Sequence, residues 1–185
     1  MANEDLSALG EAFRGLHPTL VQQEQIFREA GRTVISFSNI ESDLTFLFGV
    51  LVGADLYTKA VATFEEVKNN FALKLKLIDL MVEKECTEAE KTVWRPISGT
   101  ISTHKGIRNL IAHQRMSFQI PSDSDQPAAS LVVLEPALFS GRKGRKLEGH
   151  EIKATADALE PIADRVYEFA RDLMLRRAPA AVPGG

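Results

Sequence analysis

Three side chains with complementary chemistry lie close together in the segment RNLIAH, which runs from residue 108 to residue 113. The guanidinium of Arg108 presents a fixed fork of donors that matches a pair of phosphate oxygens. The imidazole of His113 titrates near neutral pH and can move a proton without a metal ion. The amide of Asn109, four residues before the histidine, can fix the imidazole tautomer or hold a ribose or phosphate oxygen.

A helix over residues 97–115 would place these groups on one face. At about 100° per residue, Arg108, Ala112, Asn109 and His113 follow one another within an arc of about 140°. The small side chain of Ala112 leaves space there for a substrate or a second subunit. The apolar residues of the segment occupy a different arc, which predicts that they contact the core: Ile107, Leu110 and Ile111.

One copy of this face holds few groups with which to grip and cleave a phosphodiester. Two copies that meet across a two-fold axis would supply two arginines and two histidines around one phosphate. That arrangement suits attack by a ribose 2′-hydroxyl on the adjacent phosphate, so we expect a homodimer with RNA as its partner. The alternative is an ordinary solvent-facing or interface helix, because six-residue patterns also arise by chance.

Three further residues are candidates to support this face. His104 lies one helical turn before Arg108, on the shoulder of the same face. Glu41 and Asp43 carry carboxylates that pair well with a guanidinium, so they are candidates to orient Arg108 or to place a substrate. A solvated face or a structural ion pair explains the two carboxylates as well.

A cationic run, GRKGRK, begins at Gly141 in a region rich in turn-forming residues. Four cations on a flexible loop can contact the phosphate backbone of RNA. Such runs are also common as solvated loops, so the alternative stays open. The candidate RNA-binding residues in this run are Arg142, Lys143, Arg145 and Lys146.

The elements that must position these residues are predicted to be mainly helical, because apolar residues recur at steps of three and four. A proline at position 18 predicts that a first short helix stops there. Pro96 predicts a kink or a division in a later helix. Thr87 followed by Glu90 is a capping-box pattern that opens that later helix. The predicted helices cover residues 4–16, 19–52, 55–84 with a break near Asn69 and Asn70, 87 to about 113, and about 150–177.

The second predicted helix has the clearest apolar stripe. We expect its core-facing residues to be Phe27, Val34, Phe37, Ile40, Leu44, Leu47, Phe48 and Leu51. Residues 116–120 and 130–134 have strand character and are separated by a turn-rich stretch. The predicted fold class is therefore all-α, an up-and-down helical bundle with a β-hairpin-like insertion before the last helix.

Composition limits the alternatives. A chain of 185 residues fits one domain, predicted over residues 1–177 and followed by a disordered tail over 178–185. The net charge of −3 gives no global basic field. The four histidines and the one cysteine show no metal-ligand spacing, so we expect neither metal nor cofactor. A single cysteine favours the cytoplasm, and the longest apolar run is about half the ~20 residues that span a membrane, so we expect no membrane partner.

The RNLIAH segment resembles the signature of the HEPN family (higher eukaryotes and prokaryotes nucleotide-binding domain), an arginine and a histidine separated by four to six residues near the start of a late bundle helix. Asn109 is the polar residue that the family favours after the arginine. The segment FSNIESDL, residues 37–44, is similar to an earlier family helix in which an acidic or polar residue faces the active cleft. The order of the helices is similar over residues 19–177, outside the insertion.

This resemblance implies a metal-independent endoribonuclease, a hydrolase that acts as a symmetric dimer and often serves as a toxin, in a toxin–antitoxin pair, or in antiviral defence. Arg108 and His113 would be the catalytic pair and Asn109 their support. One branch of the family carries a tyrosine two residues after the histidine, whereas this chain has Arg115. Because many members lack nuclease activity, the alternative is a non-catalytic module that binds a nucleotide or a protein.

Overall fold

The computed structural model describes the backbone of residues 2–53, 56–67, 70–119, 131–136 and 147–177. It describes the side chains of residues 20–53, 56–67, 70–111, 134 and 147–177. The predicted tail and the cationic run lie outside the described residues.

Helices dominate the described part of the chain. They are α1 (Ala2–Val52), α2 (Tyr57–Glu66), α3 (Phe71–Glu85), α4 (Glu88–His113) and α5 (Gly149–Arg177). Three short strands lie between α4 and α5: β1 (Gln114–Gln119), β2 (Leu131–Pro136) and β3 (Leu147–Glu148). The predicted fold class, a helical bundle with a small β insertion before the last helix, is confirmed.

The insertion is an antiparallel sheet in the order β1-β2-β3. Gln114 pairs with Pro136 at one end of the β1–β2 hairpin, and Gln119 pairs with Leu131 at the other. The hairpin itself was predicted from the strand character of residues 116–120 and 130–134 and from the turn-rich stretch between them. Strand β3 was not predicted, because two residues are too few to show an alternation.

Side chains mark two helix starts. The capping box at Thr87 and Glu90 was predicted, whereas near Asn70 the sequence predicted only a break between helices. Asn70 precedes α3, and its Oδ1 accepts a hydrogen bond from the backbone N–H of Leu73 at 3.0 Å. Ahead of α4, the backbone N–H of Thr87 donates to Glu90 Oε2 at 2.6 Å, and that of Glu90 donates to Thr87 Oγ1 at 3.4 Å. Burial opposes the charge on Glu90, but the hydrogen bonds from Thr87 hold its pKa below the ordinary value.

The predicted end of a first helix before Pro18 is wrong, because α1 continues through His17 and Pro18 to Val52. A proline removes one backbone donor, a cost of about 3 kcal/mol. The helical residues on either side keep their own hydrogen bonds, so the helix is not obliged to stop. Pro96 and Pro161 likewise lie inside α4 and α5.

The chain divides into two compact units. The first comprises Met1–Val34 and Ile107–Asp157, and the second comprises Ile35–Gly106 and Ala158–Gly185. The single domain over residues 1–177 stays a prediction. In the second unit, fully buried side chains from α1, α2, α3, α4 and α5 form one core, among them Ile40, Leu44, Leu47, Phe64, Ile78, Ile97, Ile101, Leu159 and Leu173.

Polar contacts fix the ends of helices in the second unit. The guanidinium of Arg177 donates to the backbone carbonyls of Leu51 at 3.1 Å and Glu85 at 2.8 Å, which end α1 and α3. These carbonyls have no partner within their own helices, so the arginine satisfies them. The indole of Trp94 donates to Asp79 Oδ1 at 2.8 Å and is otherwise buried.

The core of the first unit contains Ile26 of α1, Leu134 and Leu147 of the sheet, and Ile152 of α5. The prediction that Phe27 and Val34 face the core is wrong, since they are 58% and 38% exposed. The buried face of α1 in this unit instead contains Ile26, Glu29 and Thr33. Two of these three residues are polar. The apolar periodicity of the sequence therefore predicted that the neighbouring stripe, which contains Phe27 and Val34, is the buried one.

Residues 20–52 of α1 are long and apolar enough to cross a membrane by length and composition alone. The core helix of a folded protein passes the same test. In the second unit, this segment supplies the fully buried side chains of Ile40, Leu44 and Leu47.

Candidate functional site

The last two turns of α4 have one face against the core and one towards solvent. Ile107, Leu110 and Ile111 are half-buried and pack against the core of the first unit. Arg108 and Asn109 are exposed on the other face. The division of faces predicted for these five residues is confirmed, and it follows from 3.6 residues per helical turn.

Arg108 and Asn109 contact each other. The guanidinium Nη1 of Arg108 donates to Asn109 Oδ1 at 3.3 Å. The amide of Asn109 was expected to support the histidine, but its described contact is with the arginine. A guanidinium has five N–H donors, so this one bond leaves Arg108 able to bind a phosphate in a bidentate manner. The Arg108 guanidinium is therefore an exposed hydrogen-bond donor whose position is restrained on one side by Asn109.

His113 is the last residue of α4, directly before β1. Only the backbone of Ala112 and His113 is described, so the position of the imidazole stays a prediction. The motif closes this helix, whereas the family signature lies near the start of one. The C-terminal end of a helix carries partial negative charge, so a phosphate bound there depends on cations such as Arg108 to offset it.

The four candidate RNA-binding cations, Arg142, Lys143, Arg145 and Lys146, lie outside the described residues. Their contact with RNA stays a prediction.

Glu41 has a specific partner within the second unit. Its Oε1 lies 2.7 Å from Nζ of Lys74, which is 5% exposed. The same ammonium lies 5.5 Å from the ring centroid of Phe64, which gives it a second favourable contact. This pair is the structural ion pair that the sequence left open for Glu41. A role of Glu41 towards Arg108 stays a prediction.

Asp43, also in the second unit, is half-buried beside another carboxylate. Burial, and then the negative charge of Asp164, raise the pKa of Asp43 above its ordinary value. A carboxylate of this kind costs stability when it is charged. Its predicted support of Arg108 stays a prediction.

Asp43→Asn is expected to raise the melting temperature at pH 7 by a few degrees, because asparagine removes the disfavoured charge. A raised pKa means that the native state binds this proton more tightly than the unfolded chain does. The charged form therefore destabilises the native state above the ordinary pKa of about 3.8, and the gain should shrink as the pH falls towards that value. Thermal unfolding followed by circular dichroism from pH 4 to pH 8 measures it.

A suitable control is Asp172→Asn, since Asp172 is exposed and paired with Arg171 at 3.0 Å. This control should not raise the melting temperature. A lower melting temperature for Asp43→Asn at pH 7 would contradict the conclusion that the charged Asp43 side chain destabilises the native state.

His104 is half-buried and belongs to the second unit by its position in the chain. Burial lowers the pKa of its imidazole, because the protonated form loses hydration. A neutral imidazole can accept a proton near neutral pH, which suits the supporting role that the sequence suggests.

Lys74 was not predicted as the partner of Glu41. The signal was present, because Lys74 lies between Phe71 and Ile78 on the apolar stripe of α3. A lysine at a core position needs a nearby carboxylate, and Glu41 is an acidic residue on a helix that also contributes to the core.

A cleft of about 240 Å³ opens in the second unit between side chains of α4 and α5. Val93, Ile97 and Phe169 form its apolar part, and Arg165 and Arg176 are among its charged residues. It contains none of the predicted site residues. Within the part of the chain that the structure describes, no group of three or more His, Cys, Asp or Glu side chains is arranged to hold a metal ion.

Comparison with known proteins adds no relative: no family model, no curated protein and no solved structure matches this chain.

Proposed function

We propose that this protein is a metal-independent endoribonuclease of the HEPN type, which cleaves RNA at a site composed from two subunits. The observation that carries the proposal is the pair Arg108–Asn109, exposed at the end of α4 and joined by a 3.3 Å hydrogen bond. His113 follows five residues later on the same helix. These are the residue types that the phosphodiester chemistry requires.

In the proposed mechanism, the guanidinium of Arg108 binds the scissile phosphate and offsets the charge that develops on its oxygens. The His113 imidazole of one subunit removes the proton from the ribose 2′-hydroxyl, which attacks the phosphorus. The His113 of the other subunit donates a proton to the departing 5′-oxygen. The bond from phosphorus to the 5′-oxygen breaks, which leaves a 2′,3′-cyclic phosphate and a 5′-hydroxyl.

The biological role belongs to the same proposal. A nuclease of this kind acts on cytoplasmic RNA as a toxin or as an anti-phage effector, and a toxin requires an antitoxin or another partner protein that restrains it. The cationic residues 142, 143, 145 and 146 would extend the RNA contact along the phosphate backbone.

The alternative function is a binding module without catalysis. The exposed guanidinium and amide of the Arg108–Asn109 pair can bind a nucleotide phosphate without any help from an imidazole. In that case RNA or nucleotide would bind tightly, depend on Arg108 and remain uncut.

The purified protein is expected to cut single-stranded RNA in the presence of excess chelator, because the proposed chemistry uses no metal ion. DNA of the same sequence should remain intact, and so should RNA with a single 2′-deoxy nucleotide at the mapped cleavage site, since each lacks the attacking hydroxyl. The products should carry a 2′,3′-cyclic phosphate, identified by mass spectrometry. Activity that disappears with chelator, or cleavage of the 2′-deoxy substrate at the same position, would refute this mechanism.

A further inference from the structure

Helix α1 carries a second apolar stripe that is exposed in the described part of the first unit. Leu20, Phe27 and Val34 are 60%, 58% and 38% exposed and lie seven residues apart. At about 100° per residue, the three side chains leave the helix within about 40° of one another, along a length of about 21 Å. A largely exposed phenylalanine in line with two other large apolar side chains indicates a binding surface.

This stripe, which we call the α1 seam (Leu20, Phe27 and Val34), is distinct from the face that the first unit buries. The buried face contains Ile26, Glu29 and Thr33. Apolar residues at seven-residue spacing fill one of the two apolar positions of a heptad repeat, the pattern of a seam between two helices. Gly31 lies on the seam, and a Cβ built on it would meet nothing within 4 Å, so a second helix can approach closely there.

We propose that a second copy of this chain covers the α1 seam, with its own α1 antiparallel and the two-fold axis at Phe27. About this axis Phe27 packs against Phe27 of the second copy, and Leu20 packs against its Val34. The seam is therefore complementary to itself, as an isologous interface requires. The inference rests on the surface of α1 and does not depend on the proposed nuclease activity.

The charges beside the seam favour the antiparallel orientation. Glu24 and Arg28 lie on the same flank and form an exposed ion pair within the helix, at 3.1 Å. In an antiparallel pair centred on Phe27, Glu24 of one copy lies about 3 Å along the axis from the level of Arg28 of the other, so two interhelical ion pairs can form. The two Arg28 side chains also lie about 3 Å apart along the axis, so this arrangement has two attractive contacts and one repulsive contact. A parallel pair would place this charged flank against the uncharged flank with Gln23 and Ala30.

The first test measures self-association by sedimentation over a concentration series through the micromolar range, since a seam of three apolar layers predicts a small interface. Wild-type protein should form dimers, and Phe27→Glu should weaken the association by at least about tenfold. Leu175→Glu is the matched control, because Leu175 is 63% exposed on α5 and lies off the seam. Circular dichroism establishes that each variant is folded.

A wild-type protein that stays monomeric throughout, or a dimer that Phe27→Glu does not weaken, would overturn the proposal. A monomer that floats with vesicles of phosphatidylcholine and phosphatidylglycerol would also overturn it, because a lipid surface would then cover the seam. A protein that stays monomeric would also count against a nuclease site composed from two subunits, whereas a dimer that Phe27→Glu does not weaken overturns the α1 seam alone and leaves the nuclease proposal to the cleavage test.

The second test addresses orientation, in a Cys86→Ala background. Leu20→Cys and Val34→Cys proteins should form a disulfide-linked dimer when mixed and oxidised, whereas neither should cross-link alone. A parallel dimer would instead cross-link each variant with itself and would refute the orientation. Glu24→Arg should weaken the dimer, and adding Arg28→Glu should restore it, because the double reversal recreates both interhelical ion pairs.

Discussion

Arg108→Ala is expected to lower the rate of RNA cleavage by about 100- to 1000-fold, the loss typical of removing one group that stabilises charge in a transition state. Arg108 is exposed, and its described side-chain contact is with Asn109, so its removal should leave folding intact. Arg108→Lys should lose most of the same activity, because a point charge cannot reproduce the guanidinium fork. Single-turnover cleavage of a defined RNA measures these rates.

His113→Ala should lose activity to a similar extent, since general acid–base catalysis contributes about 100- to 10,000-fold. The double variant Arg108→Ala/His113→Ala should fall little further, because groups that act as one unit are not additive. His113 ends α4 on a face that the sequence predicts to lie away from the core. The melting temperature of each variant should therefore change little.

Arg95→Ala is the matched control for both variants. Arg95 is an exposed arginine of the same helix, and it lies 3.7 Å from Glu83 and from Glu88. It should leave cleavage unchanged. Full activity in His113→Ala would exclude the proposed mechanism. A wild-type protein that binds RNA tightly but does not cleave it would favour the binding module.

Local sequence patterns predicted much of the fold. The capping box at Thr87 and Glu90 acts within four residues, so its chemistry can be identified without any tertiary information. The same holds for the arc of Ile107, Leu110 and Ile111, because one helix fixes the relative directions of its side chains. This is why the Arg108–Asn109 pair was placed correctly on the exposed face.

The wrong predictions arose where a local rule competes with the rest of the structure. Pro18 weakens one turn of a helix, but the turns on each side of it remain helical. Phe27 is apolar and in phase with the α1 stripe, yet Ile26, beside Glu29 and Thr33, faces the core. Which of two neighbouring stripes becomes buried depends on what packs against the helix, and a single sequence does not contain that information.

The pair formed by Glu41 and Lys74 connects residues 33 positions apart and could not be derived from spacing. Variants of this pair test whether Glu41 only stabilises the second unit or also has a role in the proposed RNA cleavage. Glu41→Gln leaves the ammonium of Lys74 nearly buried without a charged partner, so we expect the free energy of unfolding to fall by about 2 kcal/mol. Breaking a fully buried pair costs about 3–5 kcal/mol, and the loss is smaller here because the Glu41 side chain is 39% exposed.

Lys74→Met added to Glu41→Gln should recover most of this loss, since methionine fills a similar volume beside Phe64 and carries no charge. Urea unfolding of both single variants and the double variant gives the coupling energy directly. Asp172→Asn, which breaks an exposed pair, should cost no more than about 0.5 kcal/mol. A coupling energy near zero would show that Glu41 and Lys74 do not interact in solution.

The stabilised double variant then decides whether Glu41 also acts on Arg108. If the carboxylate serves only Lys74, the refolded double variant should cleave RNA at the wild-type rate. If it also orients Arg108, cleavage should stay impaired although stability is restored, because a neutral amide holds a guanidinium less strongly than a carboxylate does. Since stability is matched, a difference in rate between the double variant and the wild type reports on the site and not on folding.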